Sequence, residues 1–195
     1  MPRDIIINSF KEAQDCLSYA LSDKNLQKNI ILASEVLCKA FDAGYKVISC
    51  GNGGSMSDAM HFAEELSGKF RDERKALPAV AISDPGHLTC SANDFGYHRV
   101  FSRYLEAHLK KGDVLLAIST SGNSANILEA AKYAKSVGSE VISLTGNGGS
   151  VLAEISDINL TIYGSKSKWA DRIQEMHIKI IHIIIELVEK KLFYS

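Results

Sequence analysis

The chain has 195 residues, 46% hydrophobic and 23% charged, a composition that excludes disordered and fibrous classes. At this length about 70% of the unfolded surface can be buried, so one core forms without disulfide or metal staples. Lys and Arg number 22 against 23 Asp and Glu, a formal charge of −1, which supplies no general attraction to nucleic acid or an anionic membrane. The longest apolar run, Val114 to Ile118, falls far short of the ~20 residues a membrane helix needs. Ile5 to Ile7 is too short for a signal-peptide core. Cys16, Cys38, Cys50 and Cys90 are widely spaced with no Cys-x-x-Cys pair. They are expected to be reduced and mostly in the core of a cytoplasmic protein. With three prolines and no Ser/Gly-rich tract, the chain reads as a single domain over 1–195, a helical pair in 1–44 followed by an α/β core in 45–195.

In chain order, Phe10, Ala13, Leu17, Ala20 and Leu21 follow helical steps, as do Ile30, Ala33, Leu37 and Phe41. Asp42-Ala43-Gly44 closes the second helix, glycine being the usual residue just past a helix end. Short apolar runs then alternate with helical segments. Strands are predicted at Val47–Cys50, Ala79–Ile82, Val114–Ile118, Val141–Leu144 and Ile158–Ile162. Helices are predicted near Ser55–Ser67, Tyr97–Leu109 and Ser124–Val137, each long enough for a right-handed crossover. Strands apolar on both faces suit a parallel sheet covered by helices, giving a three-layer αβα sandwich on a five-stranded parallel sheet. The last helix, from about Lys168 to Leu192, is apolar nearly all round between Ile173 and Val188. Such a helix is buried on every side, and in a chain this small the pattern predicts that other subunits supply part of the cover.

Two loops follow strands and open helices: Cys50-Gly51-Asn52-Gly53-Gly54-Ser55 and Ser119-Thr120-Ser121-Gly122-Asn123-Ser124. Free backbone N–H groups, hydroxyls and a helix dipole suit each to a phosphate monoester. Neither contains the lysine of a Walker A loop. The dinucleotide fingerprint requires glycine where Met56 stands, and Asp84 after the second strand is the one feature left in its favour. The bland alternative is an ordinary strand-to-helix turn, which is the reading preferred for the third loop, Thr145 to Ser150. His61 and Glu65, at i and i+4, can share a metal or act as a base and its partner. Alone the pair fits a surface contact; its place beside the first loop and Asp58 argues for chemistry. His182, among isoleucines, reads by itself as a hydrogen-bonded core histidine in preference to a ligand. Gln174 and His182 are eight residues apart on one helix, ~12 Å along the axis, so joint ligation requires a stretched site or two subunits.

Cys50–Ser55, Asp58–Leu66, Ser119–Ser124 and Ala170–Lys179 together closely resemble the phosphoheptose isomerases, a branch of the sugar isomerase (SIS) domain superfamily, and the resemblance spans essentially the whole chain. It implies a homotetrameric, cytoplasmic enzyme with active sites at subunit interfaces and one zinc per subunit. The reaction implied converts sedoheptulose 7-phosphate to D-glycero-D-manno-heptose 7-phosphate for the ADP-heptose of lipopolysaccharide core. By motif, the metal falls to His61, Glu65, Gln174 and His182, and proton transfer to Glu65 and His182. Sugar contacts fall to Asn52, Gly53, Gly54, Ser55, Glu65, Asn93, Asp94, Asp171 and Gln174, and the phosphate to Ser119, Thr120, Ser121 and Ser124. Lys69 departs from the arginine of the family's Leu-Thr/Ser-Gly-Arg stretch, keeping the charge without a planar two-point contact. The alternative is a non-catalytic SIS module like the DnaA initiator-associating protein, which needs the loops but not the metal quartet.

Overall fold

Two helices open the chain. In the computed structural model, which describes residues 1–146, 148–163 and 169–194, α1 spans Pro2–Ser22 and α2 spans Lys24–Asp42. Asp23 separates them, its side chain accepting from the N–H groups of Asn25 and Leu26 to cap α2. Gly44, at φ +76°, turns the chain out of α2 where a side chain would be strained.

The strands β1 (Val47–Gly51), β2 (Ala79–Ala81), β3 (Val114–Ser119), β4 (Glu140–Gly146) and β5 (Ile158–Ile162) form one parallel sheet in the order β2-β1-β3-β4-β5. Between them run α3 (Gly54–Ser67), α4 (Pro85–Phe95), α5 (Val100–His108), α6 (Ala125–Ser136) and α7 (Val151–Ile155), and α8 (Asp171–Phe193) ends the fold. Alternate strand residues serve opposite faces. Val114, Leu116 and Ile118 belong to the core shared with α1, α2, α3 and α8, while Leu115 and Ala117 belong to the one shared with α5, α6 and α7. Both faces are thus dry, and the three-layer αβα sandwich follows.

The strand positions match the apolar runs. α4 was not predicted: its inward side is carried only by Leu88, Ser91 and Ala92, too thin for a periodic signal. Its start is nonetheless a strong one, with Pro85 in the first turn and the Asp84 carboxylate accepting from His87 N–H at 2.7 Å. That cap accounts for Asp84 and leaves the dinucleotide reading without support. The helix expected over Tyr97–Leu109 is a 3-10 turn at Tyr97–Arg99 followed by α5. The third loop is followed by the one-turn α7. Asn147 of that loop and Lys168, the expected start of the last helix, lie outside the described residues.

Seven apolar residues of α8 are buried within the single chain, among them Ile173, Ile181 and Val188. Ile178, Ile183 and Leu187 are half-buried. Ile183 and Leu187 line a groove of about 330 Å³ with Leu17, Leu21 and Ile31 of α1 and α2. Ile5, Ile6, Phe10 and Leu21 of α1 are exposed. No described helix is long and apolar enough to cross a membrane.

Because β1 lies beside β3, the chain leaves their carboxyl ends in opposite directions, toward β2 and toward β4. This switch point opens a crevice, the usual ligand position in such sheets. The two glycine/serine loops flank it.

Candidate active site

The first loop is shaped by close approach. A Cβ on Gly51 would lie 2.3 Å from the carbonyl oxygen of Ser55, so only glycine lets α3 start this near β1. Gly53 adopts φ +55° and makes no side-chain cap; the Ser55 and Met56 N–H groups instead donate to the Asn52 and Gly53 carbonyls, closing the first turn of α3. Asn52 forms a reciprocal amide pair with Asn126, at 2.9 and 2.8 Å, and its Oδ1 also accepts from the Tyr97 hydroxyl at 2.9 Å. Asn126 is buried in the first turn of α6, so this pair joins the two loops. Sequence reasoning missed Asn126 and Tyr97, because nothing in their spacing marks a partner across the sheet.

The second loop folds its hydroxyls together. Ser119 Oγ lies 3.3 Å from Ser124 Oγ and 3.5 Å from Ser121 Oγ, and accepts from Gly122 N–H. Ser124 is the N-cap residue of α6, yet its side chain makes no capping bond, so its hydroxyl stays with the loop. Thr120 accepts from Gly146 N–H through its carbonyl. The third loop buttresses the second: Leu152 N–H donates to Gly122 O, and Ser150 packs on Gly122 and caps α7. The described residues of the third loop lead into α7, whose first turn takes up the Ser150 hydroxyl.

Below the first loop, α3 and α8 lie side by side. His61 and Glu65 project one turn apart from α3, and His182 meets them from α8. His61 Nε2 is 2.9 Å from His182 Nε2 and 3.3 Å from Glu65 Oε1. Two imidazole nitrogens and a carboxylate oxygen thus lie within 4.8 Å of one another, a donor set and spacing suited to one divalent transition-metal ion. Phe70 covers the His182 ring at 5.6 Å. Burial lowers the His182 pKa, reinforced by His61 and opposed by Glu65. Nearby Asp58 has one oxygen buried without a partner; burial raises its pKa to about 6, partly offset by His61. The core histidine of α8 is His177, fully buried, its Nε2 3.2 Å from the Thr145 carbonyl.

The remaining candidates divide. The Gln174 amide lies against Gly54, where an added Cβ would come within 2.7 Å of its Nε2. This puts Gln174 at the first loop and about two helical turns from His61, in the same subunit apart from the three-group cluster. Ser55 is buried under that loop. Asn93 and Asp94 are exposed at the end of α4, where Asp94 accepts from the Asn93 amide and the Cys90 thiol. Asp171 accepts from Arg172 through both backbone and guanidinium. Lys69 is exposed just beyond α3.

A doubly wound parallel sheet with paired glycine/serine loops at its switch point defines the chain as an SIS-domain protein, and the SIS domain family model matches residues 10–146. Within that class the chain belongs to the phosphoheptose isomerase family. It is 53% identical over 192 residues to the phosphoheptose isomerase of Cytophaga hutchinsonii, covering 98% of this chain and all of that one. The Vibrio cholerae phosphoheptose isomerase is 52% identical over 194 residues, with 98% and 100% covered. The solved phosphoheptose isomerase of Neisseria gonorrhoeae superposes with a TM-score of 0.89 at 36% identity, covering 97% of this chain and 100% of that structure.

Proposed function

We infer that the chain is an aldose–ketose isomerase that converts sedoheptulose 7-phosphate to D-glycero-D-manno-heptose 7-phosphate. The observation that carries this reading is the convergence of His61, Glu65 and His182 from separate helices, in a chain about half identical over its length to isomerases of that name. Moving a carbonyl to the adjacent carbon requires taking a proton alpha to it and returning one to its neighbour, through an enediolate. The Glu65 carboxylate is the proton shuttle and the His182 imidazole the partnering acid/base. Seryl and threonyl hydroxyls of residues 119, 120, 121 and 124, with the open N-terminus of α6, hold the phosphate, whose binding energy positions the distant reacting carbons. Asn52, Gly53, Gly54, Ser55 and Gln174 contact the sugar from the first loop, joined by Asn93, Asp94 and Asp171.

One zinc per subunit fits the donor set of His61, Glu65 and His182. When bound, it supplies Lewis-acid polarisation of the carbonyl and offsets charge on the enediolate oxygens. Gln174 is the fourth ligand matched by motif; its amide rests at Gly54 in each identical subunit, so ligation requires it to leave that loop, within its own subunit or across an interface. The exposed apolar face of α1 and the groove along α8 support association of subunits, which we assign as a homotetramer with sites at its interfaces. The reaction belongs in the cytoplasm, as the first step toward ADP-heptose for lipopolysaccharide core. The non-catalytic binding module is disfavoured, because a scaffold needs no imidazole–carboxylate cluster.

Purified chain supplied with zinc is expected to interconvert the two heptose phosphates, followed by NMR of the sugar. Glu65→Gln and His182→Gln each lower kcat by at least about 100-fold with the circular dichroism spectrum retained. Full turnover in either variant removes that residue from the mechanism.

A further inference from the structure

Arg74 lies between α3 and β2, outside both loops and the histidine–carboxylate cluster, with its side chain only 1% exposed. Its guanidinium donors are turned inward. Nη2 donates to the backbone carbonyl of Glu65 at 2.7 Å, and Nη1 donates to Leu66 O at 2.8 Å and Gly68 O at 3.0 Å. Nε donates to Glu189 Oε1 at 2.8 Å, and the Glu189 side chain is 4% exposed. The three carbonyls lie in and just past the last turn of α3, where no helical N–H remains to bond them. Glu189 is two turns beyond His182 on the same side of α8. One planar group therefore grips the end of the helix that carries His61 and Glu65 and ties it to the helix that carries His182.

We propose that Arg74, through Glu189, is a positioning residue that sets the distance between Glu65 and His182 and so holds the cluster in its binding geometry. The inference rests on the cluster's proposed role as zinc site and acid/base pair. Its physical basis is the rigid fork of arginine: several carbonyls and a carboxylate are bonded at once in fixed directions, which a single ammonium cannot reproduce. The surface pair Arg71–Glu186, at 2.6 Å, joins the segment after α3 to α8 but has Arg71 57% exposed, where solvent screening and side-chain freedom make it a weak tie.

The test uses the full chain with two variants. Arg74→Lys keeps the charge and loses the fork. Arg74→Met/Glu189→Leu replaces the buried pair with apolar side chains, a change that commonly leaves folding stability intact. Zinc affinity is read by competition with a chromophoric chelator, cobalt coordination by its visible absorption, and kcat and KM by turnover. Both variants are expected to bind zinc about tenfold or more weakly, to change the cobalt spectrum, and to lose kcat more than KM while melting cooperatively. Zinc affinity, cobalt spectrum and kcat all at wild-type values overturn the proposal, as does a lowered melting temperature with those readouts unmoved. The imidazole NMR signals of His61 and His182 test the geometry without metal or substrate. They shift in the variants if the tie sets the cluster, even should the wild-type chain prove inactive and the isomerase reading fail.

Discussion

His177 and His182 lie five residues apart on α8, and their surroundings give them opposite roles. His182 is half-buried and turned toward another imidazole and a carboxylate. His177 is sealed in the core with Nδ1 unpartnered, and burial drops its pKa to about 4, partly opposed by its bond to the Thr145 carbonyl. Its folded pKa lies below the unfolded value of about 6.5, so the unfolded chain binds more protons between those limits. The contribution is therefore full above pH 6.5 and is lost as pH falls toward 4, amounting to about 3 kcal/mol. Asp58 works in the opposite sense between about 3.8 and 6 because its folded pKa is raised, and its partial exposure reduces the size of that effect. Urea unfolding of wild type and His177→Gln across pH 4 to 7.5 isolates the histidine. The difference in stability between the two proteins is expected to shrink as pH falls; a pH-independent difference contradicts the assignment. The spacing of His61 and Glu65 was legible in the sequence, whereas periodicity left His182 as a core histidine and only the motif resemblance gave it a role, because burial and neighbours are properties of packing.

At the scale of elements, the second loop depends on the third. Gly122 sits at φ +62°, and a Cβ there would fall 2.1 Å from Ser150 Oγ. Gly122→Ala combines left-handed strain with a clash against the residue that caps α7, and is expected to destabilise the fold by about 2 kcal/mol or more. Its effect on catalysis should be a raised KM for the sugar phosphate with kcat less affected, because the loop's hydroxyls are the proposed holders of the remote phosphate. Thermal melting together with steady-state kinetics reads both. Unchanged melting and KM count against the buttress. The strands were legible since each is a short apolar run between turn signals. The α4 helix was not, since its capping residues Asp84 and Pro85 stand before a segment with little periodic apolar content, and its place is secured by packing on α5 and the 3-10 turn.

Across the whole molecule, the largest mismatch between chemistry and solvent is on α1. Phe10 is 73% and Leu21 72% exposed, and Leu21 borders the apolar groove along α8. A large side chain left in water forgoes about 1.5–3 kcal/mol of burial, and several on one face would drive the proposed subunit association. Light scattering is expected to find the wild-type chain as an oligomer and Phe10→Glu/Leu21→Glu as a smaller species with the same helical content. If Gln174 reaches a neighbour's metal, the double variant also binds zinc less tightly. An unchanged mass refutes α1 as the contact.

Local pattern in the chain determined the five strands, the leading helices, the glycine/serine loops and the His61–Glu65 spacing, because alternation of apolar and polar residues and the backbone demands of glycine act over a few positions. Tertiary packing alone decided that His177 is sealed in the core, that Asn126 bolts Asn52 across the switch point, and that Arg74 spans α3 and α8; it also realised the meeting of His182 with His61 that the motif resemblance implied. These depend on which residues far apart along the backbone become neighbours when two helices pack in register, and no short-range periodicity carries that information.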